Sequence, residues 1–252
     1  MPNTFDFSQI TSRLLKAGSI EQLHSDLDWI TQELGFTRFA IGHHIDLEIA
    51  PSDILRLTTY DPGWIARSFS EGFFADDPVH SASLKTAAGF LWSELSQLIH
   101  LRPRHRDILA AARDYGLHEG YTVPVHVPGE YQGTCSFAAA NLDRLRPNAL
   151  PIANMIGIWA FEAARKIMRL NSAPGGKRTE IPNLTDRQRD ALVLLARGKP
   201  DPEIGALLGI SERTAHGHVE NVRKAYGNAQ RPLLVVRALF DGQISFGDVF
   251  RR

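Results

Sequence analysis

The stretch from Leu184 to Tyr226, LTDRQRDALVLLARGKPDPEIGALLGISERTAHGHVENVRKAY, constrains the fold more than any other part of the chain. It carries apolar stripes at helical spacing, separated by residues that start or stop a helix. Thr185 lies three residues ahead of Gln188, the spacing of a capping box, and Gly198 stands where a left-handed stop belongs. Asp201 followed by Pro202 reads as an N-cap with proline at the first helical position. Ile204, Leu207 and Leu208 give this second helix one apolar face, and Gly209 ends it. Ser211 caps a third helix, in which Ala215, Val219, Val222 and Tyr226 share a stripe. Opposite that stripe lie Arg213, His216, Gly217, Glu220, Arg223 and Lys224. Two short helices joined by a tight turn, the second amphipathic, describe a helix-turn-helix. Spacing alone also fits any small three-helix bundle with a charged surface.

The order of the residues is more specific. LTDRQRDAL and ARGKPDPEIGALLGISERTAHGHVENVRKAYG resemble the DNA-binding domain of LuxR-type transcription regulators. The match runs through Leu184, Thr185, Arg187, Leu192, Gly198, Lys199, Glu203, Ile204, Leu208, Ile210, Ser211, Arg213, Thr214, His218, Val219 and Asn221. It departs at Gln188, where glutamate is usual, at Pro200 for threonine, at Gly205 for alanine and at Ala215 for valine. On the outer face of the third helix, His216, Gly217 and Glu220 are placed for base edges in a major groove. Arg213, Thr214, Asn221, Arg223 and Lys224 are better placed for phosphates. The plain alternative for each basic residue is a solvated helix face. Gly217 is more telling, because a mid-helix glycine costs about 1 kcal/mol relative to alanine and is tolerable where backbone must approach DNA closely. A fourth helix is expected from about Pro232 to Phe240, with Leu233, Leu234, Val236, Ala238 and Leu239 exceeding what a three-helix core needs. The resemblance implies dimerisation through this helix, and hence a two-fold inverted repeat in double-stranded DNA, with half-sites about one turn apart.

Charge supports a separate DNA-binding module. The whole chain of 252 residues has a formal net charge of zero, with 28 basic and 28 acidic side chains. From Lys177 onward there are 13 Lys+Arg and 9 Asp+Glu, leaving 15 and 19 for the remainder. A basic C-terminal module on an acidic body is the electrostatic arrangement that DNA binding needs. Between the two, NSAPGGKRTEIPN (Asn171 to Asn183) has Gly-Gly, two prolines and no apolar stripe, and reads as a linker. The expected domains are thus 1–170, a linker at 171–183, and 184–252. The single cysteine, Cys135, precludes an intrachain disulfide and points to a reducing compartment. The N-terminus lacks the basic and apolar regions of a signal peptide, and no charge-free run is long enough to span a bilayer. A cytoplasmic location without membrane contact is expected.

Ahead of the linker, helical and strand patterns alternate. Phe7–Leu15 and Ile20–Leu34 read as helices, the second with Leu23, Leu27, Ile30 and Leu34 in phase. Arg38–Ile45 and Ile54–Tyr60 read as strands, and Gly63–Glu71 and Pro78–Leu84 as short helices. Arg104–Tyr115 is a longer helix closed by Gly116. Tyr121–Val127 and Thr134–Ala140 read as strands joined by a turn at Pro128-Gly129, before a last helix from about Pro151 to Leu170. The fold class expected is α+β, with an N-terminal α–β–α sandwich around an antiparallel sheet and a small all-α four-helix HTH domain.

YDPGWIARSFSEGFFADDPVHSASLKTAAGFLW, Tyr60 to Trp92, resembles the autoinducer-binding domain of the same family, through Tyr60, Trp64, Asp77, Pro78 and Trp92. YGLHEGYTVPVH continues the match through Gly116, Gly120 and Pro124, and Ser136 falls where the family usually carries a pocket Ser or Thr. The resemblance implies an acyl-homoserine lactone as effector and no cofactor. Asp77 would accept the ligand amide N–H, Trp64 would donate to the lactone carbonyl, and Tyr60 and Ser136 would donate to the amide carbonyl. Trp92 and Phe69 would supply flat apolar walls. Four residues after Trp64, Ser68 replaces the usual pocket aromatic, so a bulkier or longer acyl group is expected. Without the family pattern the aromatics would be read as core, and Asp77 as an N-cap ahead of Pro78, a role it can combine with ligand binding.

A catalytic reading has little to rest on. Cys135 sits in a strand pattern as a small buried hydrophobe, and His43 and His44 point to opposite faces of a strand. His216 and His218 are separated by roughly 200° around a helix and cannot share a metal. No enzyme and no metal site are expected. The alternative function is an HTH regulator that is ligand-independent or responds to another small molecule.

Overall fold

The computed structural model describes residues 7–44, 55–127, 131–171 and 181–250. The chain divides into two compact units, one within residues 1–176 and one running from Lys177.

In the first unit, α1 (Phe7–Lys16) and α2 (Ile20–Leu34) precede β1 (Arg38–His43) and β2 (Arg56–Thr58). Then come α3 (Pro62–Ser70), α4 (Phe73–Asp76), α5 (Pro78–Ser83), β3 (Phe90–Leu91), a 3-10 turn (Trp92–Glu94), α6 (Leu95–Leu98) and α7 (Pro103–Arg113). β4 (Glu119–Val125), β5 (Gly133–Ala139) and the long α8 (Ala149–Asn171) complete it. The strands form an antiparallel sheet in the order β2-β1-β5-β4-β3. Ala40 lies opposite both Thr58 and Ser136, and Gly42 opposite both Arg56 and Thr134.

That register sorts side chains by parity. Phe39, Ile41, Leu57, Val123, Cys135 and Phe137 turn to one face, where they share a core with α1, α2 and α8. Leu23, Leu27, Ile30 and Leu34 of α2 are all fully buried in it, each worth about 2 kcal/mol of apolar transfer. On the other face, Trp64, Phe73, Ile108, Ala111 and Ala112 pack with Ala138, while Val79, Ala82, Phe90 and Leu95 form a neighbouring cluster. Helices therefore cover both faces of an antiparallel sheet, the sandwich expected. Ile45, Ile54, the expected turn at Pro128-Gly129 and most of the linker lie outside the described residues. α4, β3 and α6 were not foreseen; each is four residues or shorter, too brief to show a period.

The second unit comprises α9 (Asp186–Ala196), α10 (Asp201–Leu208), α11 (Glu212–Ala225), α12 (Arg231–Phe240) and α13 (Phe246–Phe250). Its caps follow from local sequence. Thr185 Oγ1 accepts from Gln188 N at 3.3 Å while Gln188 Oε1 accepts from Thr185 N at 2.9 Å. Gly209 closes α10 at φ 67°, the left-handed region that favours glycine, and Ser211 Oγ accepts from Thr214 N at 3.1 Å to start α11. Ala215, Val219, Val222 and Tyr226 lie in one core with Leu192, Ile204, Leu234 and Ala238.

Three readings need correction here. Asp201 is not an N-cap: Pro200 holds that position and makes no side-chain cap bond. The Asp201 carboxylate is drawn away to Arg231, 30 residues on, at 2.8 Å, and to His216 at 2.7 Å. Leu207 does not belong to the buried face of α10; it is 60% exposed, and Gly205 takes the inward position beside Ile204. The fourth helix is followed by α13, whose Phe246 and Phe250 stack on each other at 6.1 Å on the surface.

Candidate functional site

A cavity of about 140 Å³ opens between the polar face of the sheet and the short helices. Tyr60, Trp64, Ser68, Phe69, Asp77, Trp92 and Ser136 all line it. Strand parity delivers Ser136 and Thr134 from β5 and Ala40 and Gly42 from β1, while α3 delivers Trp64 and Ser68 one turn apart. α3 is fixed by Asp61, whose Oδ1 accepts from Gly63 N at 2.7 Å.

Asp77 does two things at once. Its Oδ1 accepts from Val79 N at 2.7 Å and starts α5, with Pro78 at the first helical position. Its Oδ2 stays 4.0 Å from His80 Nε2 and has no hydrogen bond among the described residues. Close by, burial first and the Asp77 charge second raise the Tyr60 hydroxyl's pKa far above its ordinary value, so it remains a donor. Neither the Tyr60 hydroxyl nor Trp64 Nε1 bonds to another described residue. Trp64 is nearly buried, its indole packed on Phe73 and Tyr115 at 5.9 and 5.8 Å.

Ser136 and Trp92 belong to one relay. Trp92 Nε1 donates to Thr122 Oγ1 at 2.9 Å, and Thr122 Oγ1 pairs with Ser136 Oγ at 2.8 Å. Thr122 is fully buried and went unnoticed in the sequence, although β4 parity opposite Ser136 marks it. Gly120 explains itself here: a Cβ on it would fall 2.5 Å from Trp92 Cε2, so the ring sits on bare backbone.

Phe69 reaches the cavity from its rim, 36% exposed, and is only part of a longer row of rings. Phe69 stacks on Phe74, Phe74 meets His80 edge-on at 4.8 Å, and His80 stacks on His44 at 3.8 Å. Arg56 lies over both Phe69 and Phe74, 4.6 and 5.5 Å from their centroids. His44 Nε2 is 3.0 Å from Thr134 Oγ1; burial, then neighbouring histidines, push its pKa well below the ordinary value, so it is neutral at pH 7. Arg56, His44 and His80 were missed in the sequence. The first two carry the parity of Thr58 and Gly42, which was the signal available.

The outer face of α11 presents Arg213, Thr214, Asn221 and Lys224 exposed, with Thr214 Oγ1 bonded to the Ser211 hydroxyl at 2.8 Å. Other members are engaged within the unit. His216 Nδ1 meets Asp201 Oδ2 at 2.7 Å, and Arg223 donates to Glu220 at 2.6 Å and to the Ala229 carbonyl at 3.1 Å. Gly217 faces open space, with nothing within 4 Å of where a Cβ would stand. Among the described residues no cluster of His, Cys, Asp and Glu has the makings of a metal site.

A sheet-backed cavity with convergent polar groups, joined in one chain to a helix-turn-helix, defines a small-molecule-responsive DNA-binding regulator. The chain belongs to the LuxR family of bacterial regulatory proteins: the autoinducer binding domain model matches residues 19–164 and the luxR-family regulatory model residues 182–238. Among relatives, the transcriptional activator protein BjaR1 of Bradyrhizobium diazoefficiens is 26% identical over 177 residues, 70% of each chain. Escherichia coli SdiA shares the fold with a TM-score of 0.65 at 22% identity, over 94% of this chain and 97% of that one. A structure of SdiA in complex with octanoyl-rac-glycerol superposes with a TM-score of 0.66 at 23% identity, over 97% and 99%.

Proposed function

We propose that this regulator binds an N-acyl-homoserine lactone in the cavity of residues 1–170. Residues 184–252 then bind DNA as part of a cytoplasmic homodimer, across the linker at 171–183. The observation that supports the ligand most is the polar set at one end of the cavity, beside Trp92: one carboxylate, Asp77, with two donors, the Tyr60 hydroxyl and Trp64 Nε1, that have no described partner. An acyl-homoserine lactone offers one amide N–H and two carbonyls, the complement of that set. Asp77 Oδ2 accepts the amide N–H, Trp64 Nε1 donates to the lactone carbonyl, and Tyr60 and Ser136 donate to the amide carbonyl. Trp92, held by Thr122, forms a wall. No catalytic step is part of this function.

For the dimer, the support is α12, whose Leu233, Val236 and Phe240 are 46%, 61% and 43% exposed while Leu234 and Ala238 are buried. A two-fold protein pairs with an inverted repeat, its two copies of α11 in successive major grooves. Among the described residues no helix is long and apolar enough to cross a membrane.

Production with and without a panel of acyl-homoserine lactones, with octanoyl glycerol as a further arm, tests the reading. A member of the panel should raise soluble yield and melting temperature and change retention of an inverted-repeat duplex in a gel shift. Identical behaviour across the whole lactone panel would remove this ligand class and leave a regulator that is ligand-independent or responds to another molecule.

A further inference from the structure

The cavity has a second polar end. Arg56 faces the same side of the sheet as Thr58 and Tyr60 but lies two residues farther along β2, opposite Gly42, on the order of 7 Å from the row that contains Ser136. Its guanidinium is half-buried, and among the described residues it makes neither an ion pair nor a hydrogen bond. The faces of Phe69 and Phe74 attract the cation but accept none of its N–H groups. Burial lowers the Arg56 pKa, and among the described residues no carboxylate opposes it. Ser68 Oγ, on the same cavity, is buried and also lacks a partner. His44 and His80 close this end as imidazoles, His44 neutral and already engaged with Thr134. A plain hydrocarbon tail would strip the remaining water from a partly desolvated cation and leave an orphaned hydroxyl, and both are costly to bury unpaired.

We infer that the effector's acyl group carries an oxygen acceptor at the end away from the lactone, a carboxylate by preference, held by Arg56 and Ser68. This rests on the lactone reading above and adds to it what the far end of the chain must be. Arg56 supplies a charge-assisted, forked pair of donors, and Ser68 supplies one hydroxyl.

The test uses the full-length protein and three probes of equal carbon count: N-octanoyl-homoserine lactone and its ω-hydroxy and ω-carboxy analogues. Calorimetric titration of wild type should rank the carboxylate first, the hydroxyl second and the methyl-ended ligand last, with about tenfold between first and last. Arg56→Met keeps the length of the side chain and should invert that order while still binding the methyl-ended probe, which also shows that the variant folds. Ser68→Ala should reduce the preference for oxygen by a few-fold. A wild type that binds the methyl-ended lactone as tightly as its analogues overturns the inference while leaving the lactone reading intact. Unchanged ranking in Arg56→Met overturns it too. Binding of none of the three overturns this inference, and the lactone reading falls with it only if the whole lactone panel is silent as well. If Arg56→Met fails to fold, the wild-type ranking alone decides.

Discussion

The ligand cavity and the outer face of α11 are assembled in opposite ways. The cavity gathers groups from Ala40 to Ser136, carried by β1, β2, α3, α5 and β5, and most of its polar atoms sit where water is scarce. The α11 face is drawn from 14 consecutive residues and is solvated along its length. In the first, a polar group without a partner is expensive, so under the proposed function Tyr60, Trp64, Asp77 and Ser68 are the groups an entering ligand would satisfy. In the second, exposed charges and amides cost little, so Arg213, Asn221 and Lys224 carry less information singly, and under the proposed function they would act through their sum. Substitutions should therefore have large, specific effects in the cavity and small, graded ones on the helix.

The sharpest way to break that contrast is Asp77→Asn. Asparagine caps a helix as well as aspartate, so α5 should keep its start and the ligand-free protein its melting temperature. Ligand at about 100 times its dissociation constant adds roughly 2.7 kcal/mol to the stability of wild type. The variant should lose most of that increment in a thermal-shift titration; full retention would reduce Asp77 to a cap.

Two glycines give the next largest difference, with opposite signs. Gly120→Ala drives a methyl into the Trp92 ring and should cost about 1–3 kcal/mol in thermal or urea melts. Gly217→Ala meets nothing and should stabilise the second unit by about 1 kcal/mol while weakening DNA binding in a gel shift. Unimpaired binding would show that the backbone at Gly217 does not approach DNA closely.

A finer split is expected along α11 itself. Lys224→Ala should weaken binding to all sequences alike and lower the slope of log affinity against log salt by about one. His216→Ala and Glu220→Ala should change which half-sites are preferred. Arg223→Ala should mix both outcomes with a stability loss of about 1 kcal/mol, because it also frees the Ala229 carbonyl. Equal losses on every sequence for all four would erase the division between base and phosphate contacts.

The smallest effect is a pH limb. Burial raises the Asp201 carboxyl's pKa, but hydrogen bonds from Arg231 and His216 outweigh it, and the net shift is downward. A depressed carboxyl stabilises fully above its unfolded value of about 3.9 and loses that contribution as pH falls through the folded value. Acid titration of melting temperature should show this limb in wild type, and Asp201→Asn should flatten it.

What the sequence made legible follows the same division. The caps at Thr185, Ser211 and Gly209 use atoms within three or four residues of each other, so spacing reveals them. Asp201 fails that logic, because its partners His216 and Arg231 are brought to it only by packing. In the cavity, Tyr60, Trp64, Asp77, Trp92 and Ser136 were legible through the family pattern, whereas Arg56, His44, His80 and Thr122 depend on which strand lies beside which. Parity places Arg56 on the side of Thr58, but only the pairing of Arg56 with Gly42 beside Thr134 makes it part of the pocket.

Cys135 gives the molecule a built-in reporter. It is the single cysteine of the chain, lies at 0% exposure between Ile41 and Val123 in the middle of the sheet, and is kept protonated by burial. A thiol reagent in solution reaches it only when the strands part, so the rate of labelling measures how often the sheet breathes. No engineered label is needed to follow that opening, and any molecule that tightens the cavity on the other face of β5 registers as slower alkylation.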